Sequence, residues 1–261
     1  MFNLNVLEAL NLIGFASSLV FLGYAAYRDL KIREVSDILW LIYGPTGLIL
    51  SAARLLYDQG LWRIHIASIL SMSAVASSMA YLGLFGGADA KAFICLSIAN
   101  PVWPRSSTVL GWIHPIYPLA VLYNTYLLTA AAVIYALARN IHYRLRGGSF
   151  FTGFEEAPVR SKIVALLTGY KVSLRDLEGK YLYPIEGIRD GGRRFSLLVD
   201  AEADREALIE ELKEEYEARG VEEAWATPGL PLLAYVIPAL IATGLLGDVF
   251  ARIVVSIIGR I

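Results

Sequence analysis

The sequence predicts an all-α polytopic membrane protein with six transmembrane helices and a small α+β cytoplasmic domain inserted before the last helix. Hydrophobic residues make up 56% of the 261 residues, charged residues only 18%, and the mean hydropathy is +0.53. Soluble domains carry about 25% charged residues, so this composition is typical of a membrane protein. The apolar residues also form long runs, which a single polar stretch interrupts near the C-terminal end.

Six apolar stretches are candidates for the transmembrane helices, since a helix needs about 20 apolar residues to cross the hydrocarbon core. They lie at roughly 7–27, 36–56, 62–85, 89–103, 112–138 and 230–257. The first contains no Lys or Arg before Leu22, so we interpret it as a retained helix and not as a cleaved signal peptide. The fourth is short because it ends at Asn100 and Pro101, and we expect it to be recessed or to lie in thinned bilayer.

The distribution of Lys and Arg predicts the orientation, because cytoplasmic loops are enriched in both. The short loops contain Arg28, Lys31 and Arg33 in the first, Arg54 and Arg63 in the second, Lys91 in the third and Arg105 in the fourth. The long fifth segment contains 14 basic residues. Loops one, three and five are therefore predicted to be cytoplasmic, with both termini outside the cell.

Three segments follow from this pattern. Residues 1–138 form a membrane domain with helices one to five, 139–229 form a cytoplasmic domain, and 230–261 form the sixth transmembrane helix. The polar segment 139–229 holds 14 basic and 17 acidic residues, as a water-exposed domain would.

Short patterns inside the polar segment predict its elements. The run YLYPIEGIRDGGRRFSLLV predicts two strands joined at Asp190-Gly191-Gly192. The run DAEADREALIEELKEEYEARG predicts an amphipathic helix with Asp200 as its N-cap and Gly220 as its stop. The run YRLRGGSFFTGF mixes basic and aromatic residues, so we expect it to lie at the lipid headgroups.

Composition excludes several functional classes. The net charge of −1 gives no basic footprint for nucleic acid. Cys95 is the only cysteine, which excludes an internal disulfide and a CxxC metal site. His65, His114 and His142 do not have metal-ligand spacing. We therefore predict no metal and no cofactor.

Two aspartates lie at the predicted cytoplasmic ends of helices. Asp29 closes helix one, and Asp89 opens helix four in the run LFGGADAK. Carboxylates held close together share a proton, so one acts as a base toward water while the other protonates a carbonyl oxygen. This is peptide hydrolysis without a covalent intermediate. Gly86 and Gly87 would let the backbone turn and let a substrate strand approach.

Structural roles explain the same residues, and the residues alone do not decide between the two. Asp89 is a candidate cap for helix four, and Asp29 a partner for Arg28 or Arg33 in a solvated loop. For Asp37, capping of helix two is the first interpretation.

The remaining features of these two loops are also open to more than one interpretation. Lys91 either acts on the charge of Asp89 or extends to the headgroups, and we favour the second. Glu34 and Asp37 are candidates for attracting a basic peptide. The spacing Gly83-x-x-x-Gly87 is also that of a helix-packing motif.

The two loops together resemble the type IV prepilin peptidases, which are membrane aspartyl proteases with a GxGD motif. The resemblance lies in Asp29-x-Lys31-x-Arg33-x-Val35-x-Asp37 followed by Gly86-Gly87-Ala88-Asp89-Ala90-Lys91. It extends to ARNI, EEAWATPGLP and LLGD and covers about residues 20 to 250, most strongly toward the archaeal preflagellin peptidases.

This resemblance implies that Asp29 and Asp89 are the catalytic pair. It also implies substrates with a short basic class III signal peptide, namely preflagellin and prepilin precursors, which are cleaved at the cytoplasmic membrane surface. Ala88 stands where the motif has its second glycine, and alanine disfavours a left-handed turn. Bacterial members usually carry two CxxC pairs and also methylate their product; with one cysteine and no SAM-type glycine fingerprint, we predict no methyltransferase activity here.

Two other classes remain alternatives. Presenilin-like intramembrane proteases also use GxGD, and Pro238-Ala239-Leu240 spells their PAL tripeptide. Paired carboxylates also occur in ion and proton transporters, although such proteins more often contain inverted repeats, which this sequence does not show.

Overall fold

The computed structural model describes residues 6–103, 114–179, 182–189, 192–196, 205–229 and 231–259. The chain forms two compact units. The first comprises Met1–Thr129 with Pro231–Ile261, and the second comprises Ala130–Leu230. Helix α5 contributes residues to both.

Among the described residues, strands occur in the second unit and not in the first. The helices are α1 (Val6–Ile32), α2 (Asp37–Tyr57), α3 (Trp62–Tyr81), α4 (Gly87–Ala99), α5 (Tyr117–Leu145), α6 (Val159–Thr168), α7 (Leu174–Gly179), α8 (Arg205–Glu217), α9 (Leu232–Leu246) and α10 (Val249–Ile258). A 3₁₀ turn (Gln59–Leu61) precedes α3. The strands are β1 (Tyr170–Ser173), β2 (Leu182–Pro184), β3 (Glu186–Arg189), β4 (Gly192–Phe195) and β5 (Glu223–Pro228).

Four helices of the described chain are long and apolar enough to cross a membrane, and a fifth span results if the bent pair α9–α10 is counted as one. The four are α1, α2, α3 (counted with its 3₁₀ turn) and α5. The prediction of six spans is therefore not confirmed. The predicted fourth span is the 13-residue α4, about 20 Å long against a hydrocarbon core of about 30 Å.

The predicted sixth span is broken. α9 and α10 meet at an angle of 65°, and the break falls at Gly247 and Asp248. Gly247 has a φ of 80°, which a residue with a side chain adopts only at a cost. Asp248 then caps α10 by accepting a hydrogen bond from the Ala251 amide at 2.8 Å. A turn glycine followed by a helix cap is therefore sufficient to end α9 inside an apolar run.

The short helix α4 lies at the centre of the first unit. It packs against α1, α2, α3 and α9, and its side chains are buried from Ala90 to Ala99 with few interruptions. Phe93 and Leu96 are almost completely enclosed. A helix that is apolar all round is expected in such a position. Burial on all sides fixes α4, and with it the residue at its N-terminal end.

Polar contacts hold the C-terminal end of α4. The Arg54 guanidinium donates hydrogen bonds to the carbonyls of Ala99 at 2.8 Å and Leu10 at 3.0 Å. The Asn100 amide donates to the Gly14 carbonyl at 3.1 Å. The last carbonyls of a helix lack intrahelical partners and carry partial negative charge, so a buried cation stabilises them.

The second unit contains two small antiparallel sheets. β5 is the central strand of the first sheet, between β1 and β2, and β3 pairs with β4 in the second. The run predicted as two strands forms three, β2, β3 and β4. β3 and β4 pair as an antiparallel hairpin, with Glu186 opposite Phe195 and Arg189 opposite Gly192, and the predicted join at Asp190 and Gly191 lies outside the described residues. The amphipathic helix α8 is also present, and Gly220 follows its end with a φ of 66°. The predicted cap Asp200 lies outside the described residues.

The aromatic residues of the basic–aromatic run pack inside the second unit. Phe154 stacks on Phe195 at 4.2 Å between ring centroids, and Phe151 stacks on Trp225 at 5.9 Å. Phe154 is buried and Phe150 and Phe151 are partly buried against the sheets, where about 25 cal/mol per Å² favours burial. That this run lies at the lipid headgroups stays a prediction.

A buried ion pair lies within the β3–β4 sheet, and a hydrogen bond from Trp225 of β5 connects it to the other sheet. The Arg193 guanidinium donates to the Glu186 carboxylate at 2.8 Å, and the Trp225 amide donates to the same carboxylate at 2.9 Å. The Glu186 side chain is fully enclosed, and burial raises its pKa although Arg193 opposes this. Such a pair tolerates loss of one partner poorly, because a lone buried charge remains.

Candidate active site

Asp29 lies in the last turn of α1, as predicted. Its side chain is 16% exposed, and one carboxylate oxygen lies 3.9 Å from the Arg33 guanidinium. The two residues are four apart, and the Arg33 amide also donates to the Asp29 carbonyl at 3.1 Å. The alternative that Asp29 pairs with Arg33 is thus realised, although in a half-buried position and not in a solvated loop.

Asp89 lies in the first turn of α4. One of its carboxylate oxygens accepts a hydrogen bond from the Gly86 amide at 3.1 Å. This contact satisfies an amide that the helix leaves unpaired, so Asp89 does serve as a capping residue. A cap of this kind fixes the side-chain rotamer. It therefore orients the carboxyl group and does not exclude chemistry at it.

The two aspartates converge although 60 residues separate them in sequence. The charges of Asp29 and Arg33 both act on the Asp89 carboxylate. The C-terminal end of α1 and the N-terminal end of α4 therefore lie at the same end of the first unit. Helices α1 and α4 also pack against each other, and the Arg33 guanidinium lies 3.9 Å from the Asp29 carboxylate.

The other acidic residues of the first loop point to a different contact. Asp37 forms an ion pair with Lys91 at 2.5 Å, and both side chains are largely exposed. Ser36, not Asp37, is the N-cap of α2, so that interpretation of Asp37 was wrong. Lys91 thus has an acidic partner, and its extension to the headgroups stays a prediction. Glu34 is exposed in the short segment between α1 and α2.

The glycine run has conventional backbone geometry at the motif itself. Gly86 is the N-cap of α4 with a φ of −71°, and Ala88 is helical, so alanine causes no strain there. A Cβ on Gly86 would lie 3.3 Å from the Asp89 carboxylate. A Cβ on Gly87 would have no atom within 4 Å. Gly83 is the left-handed residue, at φ 69° in the turn after α3, so it does not belong to a helix-packing motif.

Tyr126 is a neighbour of Asp89 that the sequence did not indicate. It lies on α5, and the Asp89 charge acts on its phenol. Its ring stacks on Phe85 at 6.4 Å between centroids, and Phe85 immediately precedes the capping Gly86. No local pattern marks this residue, because one more tyrosine on an apolar helix is unremarkable by composition.

These features define a class of protein: a multi-pass membrane protein with two carboxylates at one end of its helices. Comparison with known proteins agrees. Residues 16–138 match the type IV leader peptidase family, and residues 161–249 match the type II C-terminal region of archaeal A24 peptidases. A preflagellin peptidase of Methanococcus voltae is 25% identical over 252 residues, which cover 93% of this chain and 99% of that protein.

The chain belongs to the type IV leader peptidase family, in its archaeal branch. It is therefore a peptidase. The two matched regions include both aspartates, most of the second unit and all of α9. The resemblance noted from the loop motifs is thereby confirmed at the level of the family.

Proposed function

We propose that this protein is an aspartyl endopeptidase that removes the class III signal peptide of preflagellin and prepilin-like precursors. The observation that carries the proposal is the convergence of Asp29 and Asp89, on the ends of two different helices, within electrostatic reach of each other. The name of the Methanococcus voltae relative supports preflagellin as the substrate class.

The proposed mechanism is general acid–base hydrolysis. Two neighbouring carboxylates hold one proton between them, since a second negative charge close by is unfavourable. The ionised member takes a proton from water while the protonated member donates to the carbonyl oxygen of the scissile bond. Asp89 is held in one orientation by the Gly86 amide, so we assign it the fixed position and Asp29 the adjustable one.

The substrate is proposed to approach along the lipid bilayer. Its basic leader would remain in the cytosol or at the headgroups, and its apolar helix would lie in the bilayer beside α1, α3 and α4. Glu34 is exposed beside Asp29 in the chain and suits an attraction for the leader. Asp37 suits it less, because Lys91 already neutralises its charge.

Cleavage is proposed at the cytoplasmic membrane face, with both termini outside. Loop one, which follows Asp29, carries Lys31 and Arg33, as cytoplasmic loops do. We also propose that the protein lacks N-methyltransferase activity, because one cysteine and no SAM-type glycine run leave no recognisable site for that reaction.

The decisive experiment replaces each aspartate while keeping its shape. Asp29→Asn and Asp89→Asn should each reduce processing of a preflagellin by at least about 100-fold, because neither amide can act as acid or base. Processing is measured as the gel shift of the precursor when both proteins are expressed in membranes. Expression level and melting temperature in detergent report whether each variant remains folded.

Two further asparagine variants serve as controls. Asp37→Asn and Asp58→Asn should retain activity within a few-fold, because Asp37 faces Lys91 and Asp58 caps the 3₁₀ turn beyond the opposite end of α2. A folded Asp29→Asn or Asp89→Asn enzyme that trims the precursor at the wild-type rate would remove that residue from the mechanism. Loss of activity in Asp37→Asn would move Asp37 into it.

The presenilin-like alternative has less support. Leu240 of the PAL tripeptide accepts a hydrogen bond from Tyr117, whose amide donates to the Pro101 carbonyl just beyond the C-terminal end of α4. Asp89 lies at the other end of that helix, about 15 Å away. Mass spectrometry of the products separates the two, since a presenilin-like enzyme cuts within the apolar segment and not before it.

The transporter alternative rests on the paired carboxylates, but the described part of the chain has one broken helix pair, α9–α10, without a matching second pair. Membership of a peptidase family argues against it. Ion or proton flux in liposomes that is abolished by Asp29→Asn, without any peptide cleavage, would favour it again.

A further inference from the structure

Tyr126 stacks on the residue that precedes the capping Gly86, and among the described residues its hydroxyl group has only a weak hydrogen-bond acceptor. The phenol oxygen donates to the Met79 sulfur at 3.8 Å. A thioether is a weak hydrogen-bond acceptor, so a better acceptor arriving nearby would compete for this donor at little cost. The residue is 37% exposed, and the contact between its hydroxyl group and Met79 lies at the surface of the packed helices.

The ring of Tyr126 is held by aromatic residues that are themselves buried. It stacks on Phe85, which is 4% exposed, and Phe85 stacks on Phe93 at 5.6 Å between centroids. The Phe85 amide donates to the Met79 carbonyl at 3.2 Å. The packing therefore connects the orientation of Tyr126 to the turn that leads into Gly86 and Asp89. A donor fixed in this way loses little entropy when it binds.

We propose that the Tyr126 hydroxyl donates a hydrogen bond to the substrate carbonyl oxygen at the scissile bond, beside the carboxyl group of Asp89. The inference rests on the proposed function and adds a residue to it. As water attacks, negative charge develops on that oxygen, and a preoriented donor stabilises it. The proton stays on the phenol throughout, and no bond to Tyr126 forms or breaks.

The test separates the hydroxyl from the ring. Tyr126→Phe keeps the ring on Phe85 and removes only the donor, so kcat should fall about 10- to 100-fold while KM changes less than about three-fold. Met79→Leu removes the resting acceptor and should leave kcat near the wild-type value. Tyr57→Phe, at the end of α2 remote from Asp37, is the matched tyrosine control and should be unchanged.

The outcomes distinguish this inference from the proposed function. If the wild-type enzyme processes preflagellin, Asp29→Asn does not, and Tyr126→Phe works at the wild-type rate, the hydroxyl has no role and only the inference fails. Equal losses in Tyr126→Phe and Met79→Leu would show that their mutual contact matters structurally, which also overturns it. Absence of any processing by the wild-type enzyme would instead contradict the proposed function.

Discussion

Arg33 is the residue whose backbone and side chain are both unusual. It is the first residue after α1, and its φ of 58° lies in the left-handed region, where a side chain costs roughly 1–3 kcal/mol. Its guanidinium lies 3.9 Å from Asp29 and also acts on Asp89. The left-handed turn ends α1 one residue before an exposed loop and keeps the cation beside both carboxylates.

This arrangement predicts how the rate depends on pH. A neighbouring cation favours the ionised form of a carboxylate, so it makes the shared proton of the pair easier to lose. In Arg33→Gln the pair should keep its proton to higher pH, so the alkaline limb of the rate–pH profile should shift to higher pH. Arg33→Lys keeps the charge and should shift the limb less, and Arg63→Gln, on exposed α3 surface, should not shift it.

The opposite result is equally informative. An alkaline limb that stays in place in Arg33→Gln, with normal folding, would show that the guanidinium does not act on the protons used in catalysis. A shift of the alkaline limb to lower pH would contradict the assignment of a proton shared by these carboxylates.

Sequence reasoning located both aspartates at this scale but not all of their neighbours. Asp29 and Asp89 are recognisable because a carboxylate at the edge of an apolar run is rare and costly. Tyr126 is not, because its relation to Asp89 depends on how α5 packs beside Phe85. The Lys91–Asp37 ion pair was missed for the same reason, since 54 residues separate its partners.

At the scale of elements, α4 is short and fixed at both ends. Its N-terminal end carries Asp89 and its cap, and its C-terminal end is held by Arg54 and closely approached by α1 and α2. A Cβ on Gly47 would lie 3.0 Å from the Ala99 nitrogen, so α2 touches this end through its backbone. We infer that these contacts set the depth of α4 and hence the position of Asp89.

Alanine substitutions at two glycines of α1, one packed against the end of α4 and one not, test how tight this packing is. In Gly14→Ala the new Cβ would lie 2.2 Å from the Arg54 guanidinium and 2.9 Å from the Ala99 carbonyl, so we expect destabilisation of about 1–3 kcal/mol. In Gly23→Ala no atom lies within 4 Å of the new Cβ, and the better helix propensity of alanine should stabilise by up to about 1 kcal/mol. Thermal unfolding in detergent measures both.

The sign of the difference between these two variants is the result that matters. Equal melting temperatures, or a less stable Gly23→Ala protein, would show that the contact between Gly14 and the end of α4 is loose. Reduced peptidase activity in a stable Gly14→Ala protein would further connect this end of α4 to the active site.

The limits of sequence reasoning for elements lie in α4 and α9. Hydropathy measures how apolar a run is and not where its helix stops, so 89–103 and 230–257 were each assigned to a complete span. Pro101 and Asn100 correctly marked the end of α4. Gly247 and Asp248 carry the signal for the break after α9, but it is only two residues long within an apolar stretch.

At the scale of the whole molecule, the direction of each helix is constrained by which ends meet. The end of α1 meets the start of α4 through Asp29 and Asp89, and the start of α2 meets it through Asp37 and Lys91. The far end of α4 meets the end of α2 through Arg54. α2, with 21 residues, is about 31 Å long and so suffices to separate these two ends by the thickness of a hydrocarbon core.

Cysteine labelling tests which end faces the cytoplasm. Cys95 is the only native cysteine and is buried, so a Cys95→Ala protein provides a background for single cysteines. Glu34→Cys, before α2, and Glu214→Cys, on α8, should react with a membrane-impermeant maleimide only from the cytoplasmic side, in inverted vesicles. Gln59→Cys, after α2, should react only in intact cells. We expect this because loop one has an excess of Lys and Arg, which favours the cytoplasmic side for that end of α1 and α2. Labelling of Glu34→Cys and Gln59→Cys from the same side would mean that α2 does not cross the membrane. If each of the three cysteines reacts from the side opposite to the one predicted, the orientation of the protein is inverted. Asp29 and Asp89 would then lie outside the cell, which contradicts cleavage at the cytoplasmic face.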